Sequence, residues 1–269
     1  MELFDTHFHI DGETEFEAYM AQIRADLELT APTFNVPLSK LYMLCAGGSW
    51  TGSKRAMEFA GKIENGYFSA GVHPHDAEEY RQQGGDFSIF RNEKKLLAIG
   101  EIGLDYFYDF SDRNIQQDVL QEFLDLALAW NLPAMLHLRD KDNVFDAYSD
   151  ALNMLEPFSR AGGRFVIHCY AGNEQFAEKF LDLGGYFGVT GLYTFKAADN
   201  IRSVIARIPA ERLLTETDSP YLAPVPYRGR TNTPGMVGLV AARLGSDLNM
   251  TPEAAADFFT ANGKRFYGI

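Results

Sequence analysis

Six histidines occur in the 269 residues, and two of them stand with an aspartate in one short run, Asp5-Thr6-His7-Phe8-His9. A β-strand points alternate side chains to opposite faces, so Asp5, His7 and His9 are expected on one face and Thr6, Phe8 and Ile10 on the other. His73, His75, His137 and His168 each close a short apolar run, as do Glu101 in GEIGLDY and Asp218 in TETDSP. Neutral imidazoles and ionised carboxylates converging on one space suit a borderline divalent cation. Four imidazoles with two acids exceed the three or four protein ligands of a single catalytic ion. They fit two ions about 3.5–4 Å apart that share a carboxylate. Which of the six histidines are ligands is left open by spacing alone.

Something must bring these strand ends together. Eight apolar, β-rich runs are present: ELFDTHFH, KLYMLCAG, YFSAGVHP, LLAIGEIG, PAMLHLR, RFVIHCY, GYFGVTG and RLLTETDSP. Segments such as TEFEAYMAQIRADLEL, RNIQQDVLQEFLDLALAWN and NEQFAEKFLDLGG lie between them, with apolar residues at helical spacing. The last of these ends in a glycine pair that stops a helix, and Thr251 with Pro252 opens the C-terminal one as N-cap and first residue. Eight strands alternating with helices predict a TIM-type (β/α)₈ barrel over residues 1–269 as a single domain, of α/β class. An open doubly wound sheet is the competing arrangement, but no G-x-G-x-x-G follows any run. In a barrel the C-terminal strand ends form the active face, where all six histidines are predicted to lie.

Composition sets limits on function. Hydrophobic residues make up 46% of the chain, with 21 phenylalanines and 13 tyrosines, which is ample for a large core. Cys45 and Cys169 lie far apart, so the expected setting is a reducing cytoplasm. The acidic, polar start does not read as a signal peptide, and no apolar run reaches the roughly 18 residues of a membrane helix. The net charge of −13 opposes passive binding to a nucleic-acid backbone. It leaves room for an enzyme whose metal ions and a few local arginines meet the phosphates.

Taken in order, DTHFH, GVHPHDA, GEIGLDY, LHLRD, HCYAG, TGLYTFKAA and LLTETDSPYLAPVPYRGR resemble the TatD family of metal-dependent deoxyribonucleases, within the wider amidohydrolase-like barrels. The resemblance runs nearly the whole chain. It implies a hydrolase of DNA or another phosphodiester, with two divalent ions (Zn, Mn or Mg) held by His7, His9, Glu101, His137, His168 and Asp218. On chemical grounds His7, His9 and Asp218 are assigned to one ion and His137 with His168 to the other. Glu101 bridges, because a carboxylate offers two oxygens and an imidazole one free nitrogen. Asp218 is also the expected acceptor of the attacking water's proton, so Asp218 and Glu101 are the catalytic candidates.

Substrate contacts are expected from His73, Arg139 and Arg228, with Arg230 nearby. Asp5 either orients His7 or is satisfied by backbone. His75 is expected to brace a turn beside proline, Glu216 to be hydrogen-bonded inside the barrel, and Cys169 to face the core. One loop departs from the family pattern R-G-K-R-N-E-P: here it reads RGRTNTP, with Thr231 for a basic residue and Thr233 for an acidic one. That departure, at a loop expected to border the mouth, bears on substrate choice. Two other functions fit the same fold. One is an amidohydrolase acting on an amide, lactone or carbamate, and the other is a non-catalytic binding barrel.

Overall fold

The computed structural model describes residues 1–269. Its strands are β1 (Glu2–Phe8), β2 (Lys40–Cys45), β3 (Gly66–Ala70), β4 (Leu96–Asp105), β5 (Ala134–Arg139), β6 (Phe165–Ile167), β7 (Tyr186–Val189) and β8 (Leu213–Thr215). The helices are α1 (Phe16–Thr30), α2 (Trp50–Gly61), α3 (Ala77–Gln83), α4 (Arg113–Trp130), α5 (Asp146–Arg160), α6 (Glu174–Asp182), α7 (Asp199–Ile205), α8 (Val237–Asp247) and α9 (Pro252–Tyr267). Each expected apolar run overlaps one strand, with β3 beginning one residue before its run and β4 ending two residues past its own. The strands form one sheet in the order β1 to β8, with parallel pairing and helices between, which is the (β/α)₈ arrangement. A parallel bridge from Phe8 to Ser219 joins β1 to the segment leaving β8, as closure of such a sheet requires.

Two compact units make up the chain. One comprises Met1–Cys45, Phe59–Tyr67 and Gly188–Ile269, and the other Ala46–Glu58 with Phe68–Phe187. In the first, Leu3, Val237 and Ala256 pack together, with Met1, Phe34, Leu38 and Leu41 against them. The Thr251 hydroxyl caps α9 by accepting from the Ala254 amide, and Pro252 opens the helix, as its sequence predicts. In the second unit every residue of β4 is buried. A strand covered on both sides shows no apolar alternation, which is why GEIGLD reads as a continuous run.

The register is irregular where the chemistry lies. From Asp5 to Phe8, β1 advances three residues while β2 advances two, from Met43 to Cys45. From Ile99 to Ile102, β4 likewise gains one residue on β5, whose partners are Ala134 and Leu136. These are β-bulges, which re-aim side chains and gather beside active sites. They fall on His7 and on Glu101.

Candidate metal centre

In the first unit the chain leaving β8 runs beside β1. The Asp218 amide donates to the His7 carbonyl at 3.0 Å, and the His9 amide to the Ser219 carbonyl at 2.7 Å. Asp218 takes a left-handed φ of 54°, a conformation that aspartate tolerates better than most residues. His7 Nε2 and His9 Nε2 approach to 2.9 Å, and Asp218 Oδ1 lies 3.9 Å from the first and 3.6 Å from the second. Two donors about 2.1 Å from one ion stand roughly 3.0 Å apart at 90° and about 3.4 Å apart at a tetrahedral angle. The 2.9 Å nitrogen pair matches such an edge, the carboxylate oxygen at 3.6 and 3.9 Å stands wider than a tetrahedral one, and a nitrogen–nitrogen–oxygen set suits zinc or manganese.

Asp5 lies behind this trio. Its carboxylate accepts from the Thr217 amide at 2.8 Å, the Thr217 hydroxyl at 2.6 Å and the His7 amide at 3.3 Å. Burial pushes its carboxyl up to about 8, against those hydrogen bonds. Asp5 thus ties the backbone of β1 to the turn after β8, which is the backbone-satisfied reading. Glu216 is 2% exposed and accepts from the Thr6 hydroxyl at 3.4 Å. A Cβ at Gly188 would overlap its carboxylate, so glycine there makes its room.

The second unit gathers Glu101, His137, His73 and His168. Glu101 Oε1 lies 3.1 Å from His137 Nδ1, 3.9 Å from His73 Nε2 and 4.0 Å from His168 Nε2. His73, Glu101 and His137 form a group able to hold a metal ion. His73, expected at the substrate, therefore stands as near Glu101 as His168 does. Gly103 sets His137 in place: it pairs with His137 across β4 and β5 at φ 148°, and a Cβ there would overlap the His137 carbonyl oxygen.

Asp105 was not singled out in the sequence. It is fully buried, and its Oδ2 lies 3.0 Å from His137 Nε2 and 2.8 Å from His75 Nε2. Its Oδ1 accepts from the amides of Phe107 and Tyr108, both at 3.0 Å. Although burial opposes it, hydrogen bonds from His137 and His75 hold its carboxyl far below the usual range. In return, despite burial, Asp105 and Glu101 raise His137 to about 9. A carboxylate on the far nitrogen of a ligand histidine fixes its tautomer and its aim. The available signal was an acid four residues after Glu101 on the same strand. His75 is correspondingly more than a turn brace, since it is the second imidazole on Asp105.

Other expectations divide. Arg139 is exposed on β5, with its guanidinium 4.4 Å from the Phe107 ring and 4.8 Å from Tyr108. Arg228 is exposed, 4.2 Å from the Phe195 ring. Cys169 does not belong to the core: β6 ends at Ile167, and Cys169 takes a φ of 44° and is half-buried, so strand alternation does not apply. Thr233 does not face a mouth either. It is fully buried, caps the Gly235 amide and donates to Asp26 Oδ2 at 2.8 Å. A carboxylate still meets this loop, but it comes from α1.

The pattern of the TatD related DNase family matches residues 4–268. The chain belongs to the TatD family. It is 33% identical over 277 residues to the uncharacterized metal-dependent hydrolase YcfH of Escherichia coli K12, covering 100% of this chain and 97% of that protein. It is 38% identical over 184 residues to the 3'-5' ssDNA/RNA exonuclease TatD of Cronobacter turicensis, covering 68% of each chain. Among solved structures it resembles YjjV, a TatD homologue from Escherichia coli K12, with a TM-score of 0.78 and 27% identity over 99% of this chain and 98% of that one. The six residues that the TatD resemblance names as ligands fall into the two clusters: His7, His9 and Asp218 in one unit, and Glu101, His137 and His168 in the other.

Proposed function

We propose that this protein is a metal-dependent phosphodiesterase acting on DNA. The observation that carries the reading is the trio His7 Nε2, His9 Nε2 and Asp218 Oδ1, with spacings of 2.9, 3.9 and 3.6 Å. Membership of the TatD family supports it, as does a relative named for cutting single-stranded DNA and RNA. His7, His9 and Asp218 would hold one divalent ion and His137 with His168 a second. Glu101, 3.1 Å from His137 Nδ1, would add its negative charge to the second. Such ions, when bound, supply Lewis acidity toward a phosphoryl oxygen and an activated water near neutral pH.

The chain's own groups do the rest. Asp218, partly exposed and 3.6 Å from His9 Nε2, would accept the water's proton. Asp105 keeps His137 aimed. Arg139 and Arg228 each offer an exposed guanidinium that a phosphate could meet.

The test is a substrate panel with protein loaded in turn with zinc, manganese and magnesium. A single-stranded DNA oligomer should be cut with at least one metal, and simple amides and lactones should not. Turnover of an amide or lactone with an intact oligomer would assign the chain to the amidohydrolase class instead.

A further inference from the structure

The loop from β4 to α4 presents large apolar side chains outward. Phe107 is 37% exposed, Tyr108 45% and Phe110 64%. Tyr108 and Phe110 stack in parallel, with centroids 5.2 Å apart and planes 8° apart. The His75 ring stands upright against both, 5.5 Å from Tyr108 and 4.9 Å from Phe110. Arg139 lies along Phe107 and Tyr108. Exposed aromatic rings cost solvation, and burying them against helix or sheet is the ordinary remedy.

These rings are held rather than loose. Asp105 takes the amides of Phe107 and Tyr108, and the Ser111 hydroxyl donates to the His75 carbonyl at 3.0 Å while accepting from the Glu78 amide at 3.2 Å. The one acid on the loop's outer turn, Asp109, is paired with Arg113 at 3.3 Å and Lys141 at 3.7 Å. The shelf therefore offers flat apolar faces, an exposed guanidinium lying along the rings, and little uncompensated negative charge. It also leads inward, because His75 packs 4.3 Å from His73, which packs 4.5 Å from His137.

We propose that Tyr108, Phe110 and Arg139 form a stacking subsite for a base of single-stranded nucleic acid, next to the phosphate being cut. The proposal rests on the phosphodiesterase reading. Parallel ring faces accept any base, since every base has a π-face, while the guanidinium adds a cation–π contact and meets a neighbouring phosphate. The preset loop lowers the ordering cost on binding. A base-paired duplex would hide the faces that this shelf addresses, so unpaired strands are the expected substrate.

Binding is measured in EDTA, so that nothing is cut, with oligothymidylate and with an abasic oligomer of the same length. The wild type should bind oligothymidylate on the order of tenfold more tightly than the abasic strand, the worth of one stacked base. Phe110→Ala and Tyr108→Ala should each lose most of that preference and bind the abasic strand as the wild type does. Phe110 and Tyr108 are exposed enough for both variants to fold, which circular dichroism would verify. Equal binding of the two strands by the wild type, or an equal loss on both strands in the variants, would overturn the subsite. Metal-loaded hydrolysis of the abasic strand needs no shelf and reports on the phosphodiesterase reading alone. Its absence beside intact base preference would sink that reading and leave the subsite standing.

Discussion

At the residue scale the candidate donors were legible, because metals restrict their donors to few side-chain types and the chain has only six histidines. Positions that depend on a distant partner were not legible. Thr233 looks like a lost acid at a substrate loop until Asp26 of α1 is seen beneath it, with Arg230 3.6 Å away. Nothing in a local motif reports a contact from two hundred residues off. Restoring the family's glutamate should therefore harm stability rather than tune substrate choice. Thr233→Glu would bury a second carboxylate against Asp26, with Arg230 able to balance one charge and not two. It would also remove the cap on Gly235. The expected cost is about 2–4 kcal/mol in chemical denaturation. A variant as stable as the wild type would show that the loop opens to solvent and that Thr233 is not held as described.

At the element scale, strand number and order followed from the rhythm of apolar runs, while strand length and facing did not. The expected alternation of Asp5, His7 and His9 is broken by the bulge between Asp5 and Phe8, and β6 and β8 end before His168 and Asp218. Alternation assumes an unbroken ladder, and these candidate ligands sit where the ladder breaks. Close strand approach is what the bulged β4 requires beside β5, and Gly103 permits it. Gly103→Ala would force a Cβ into the His137 carbonyl at a φ disfavoured for alanine. The expected loss is about 3 kcal/mol or more, read as a lower unfolding midpoint. Wild-type stability would mean that β4 and β5 can separate there without cost.

For the whole molecule, the net charge of −13 sets the terms on which an anionic polymer is met. The charge supplies no long-range attraction, so on the proposed phosphodiesterase reading affinity would come from bound cations, from the exposed Arg139 and Arg228, and from stacking. No helix is long and apolar enough to cross a membrane. Cleavage should therefore depend strictly on metal occupancy. The most direct measurement strips the protein with a chelator, restores manganese stepwise, and follows cutting of a labelled single-stranded DNA oligomer against ions bound per chain. Cutting is expected to be absent in the stripped protein and to rise until two ions are bound. Undiminished cutting without metal, or an uncut oligomer at full occupancy, would contradict a metal-dependent phosphodiesterase.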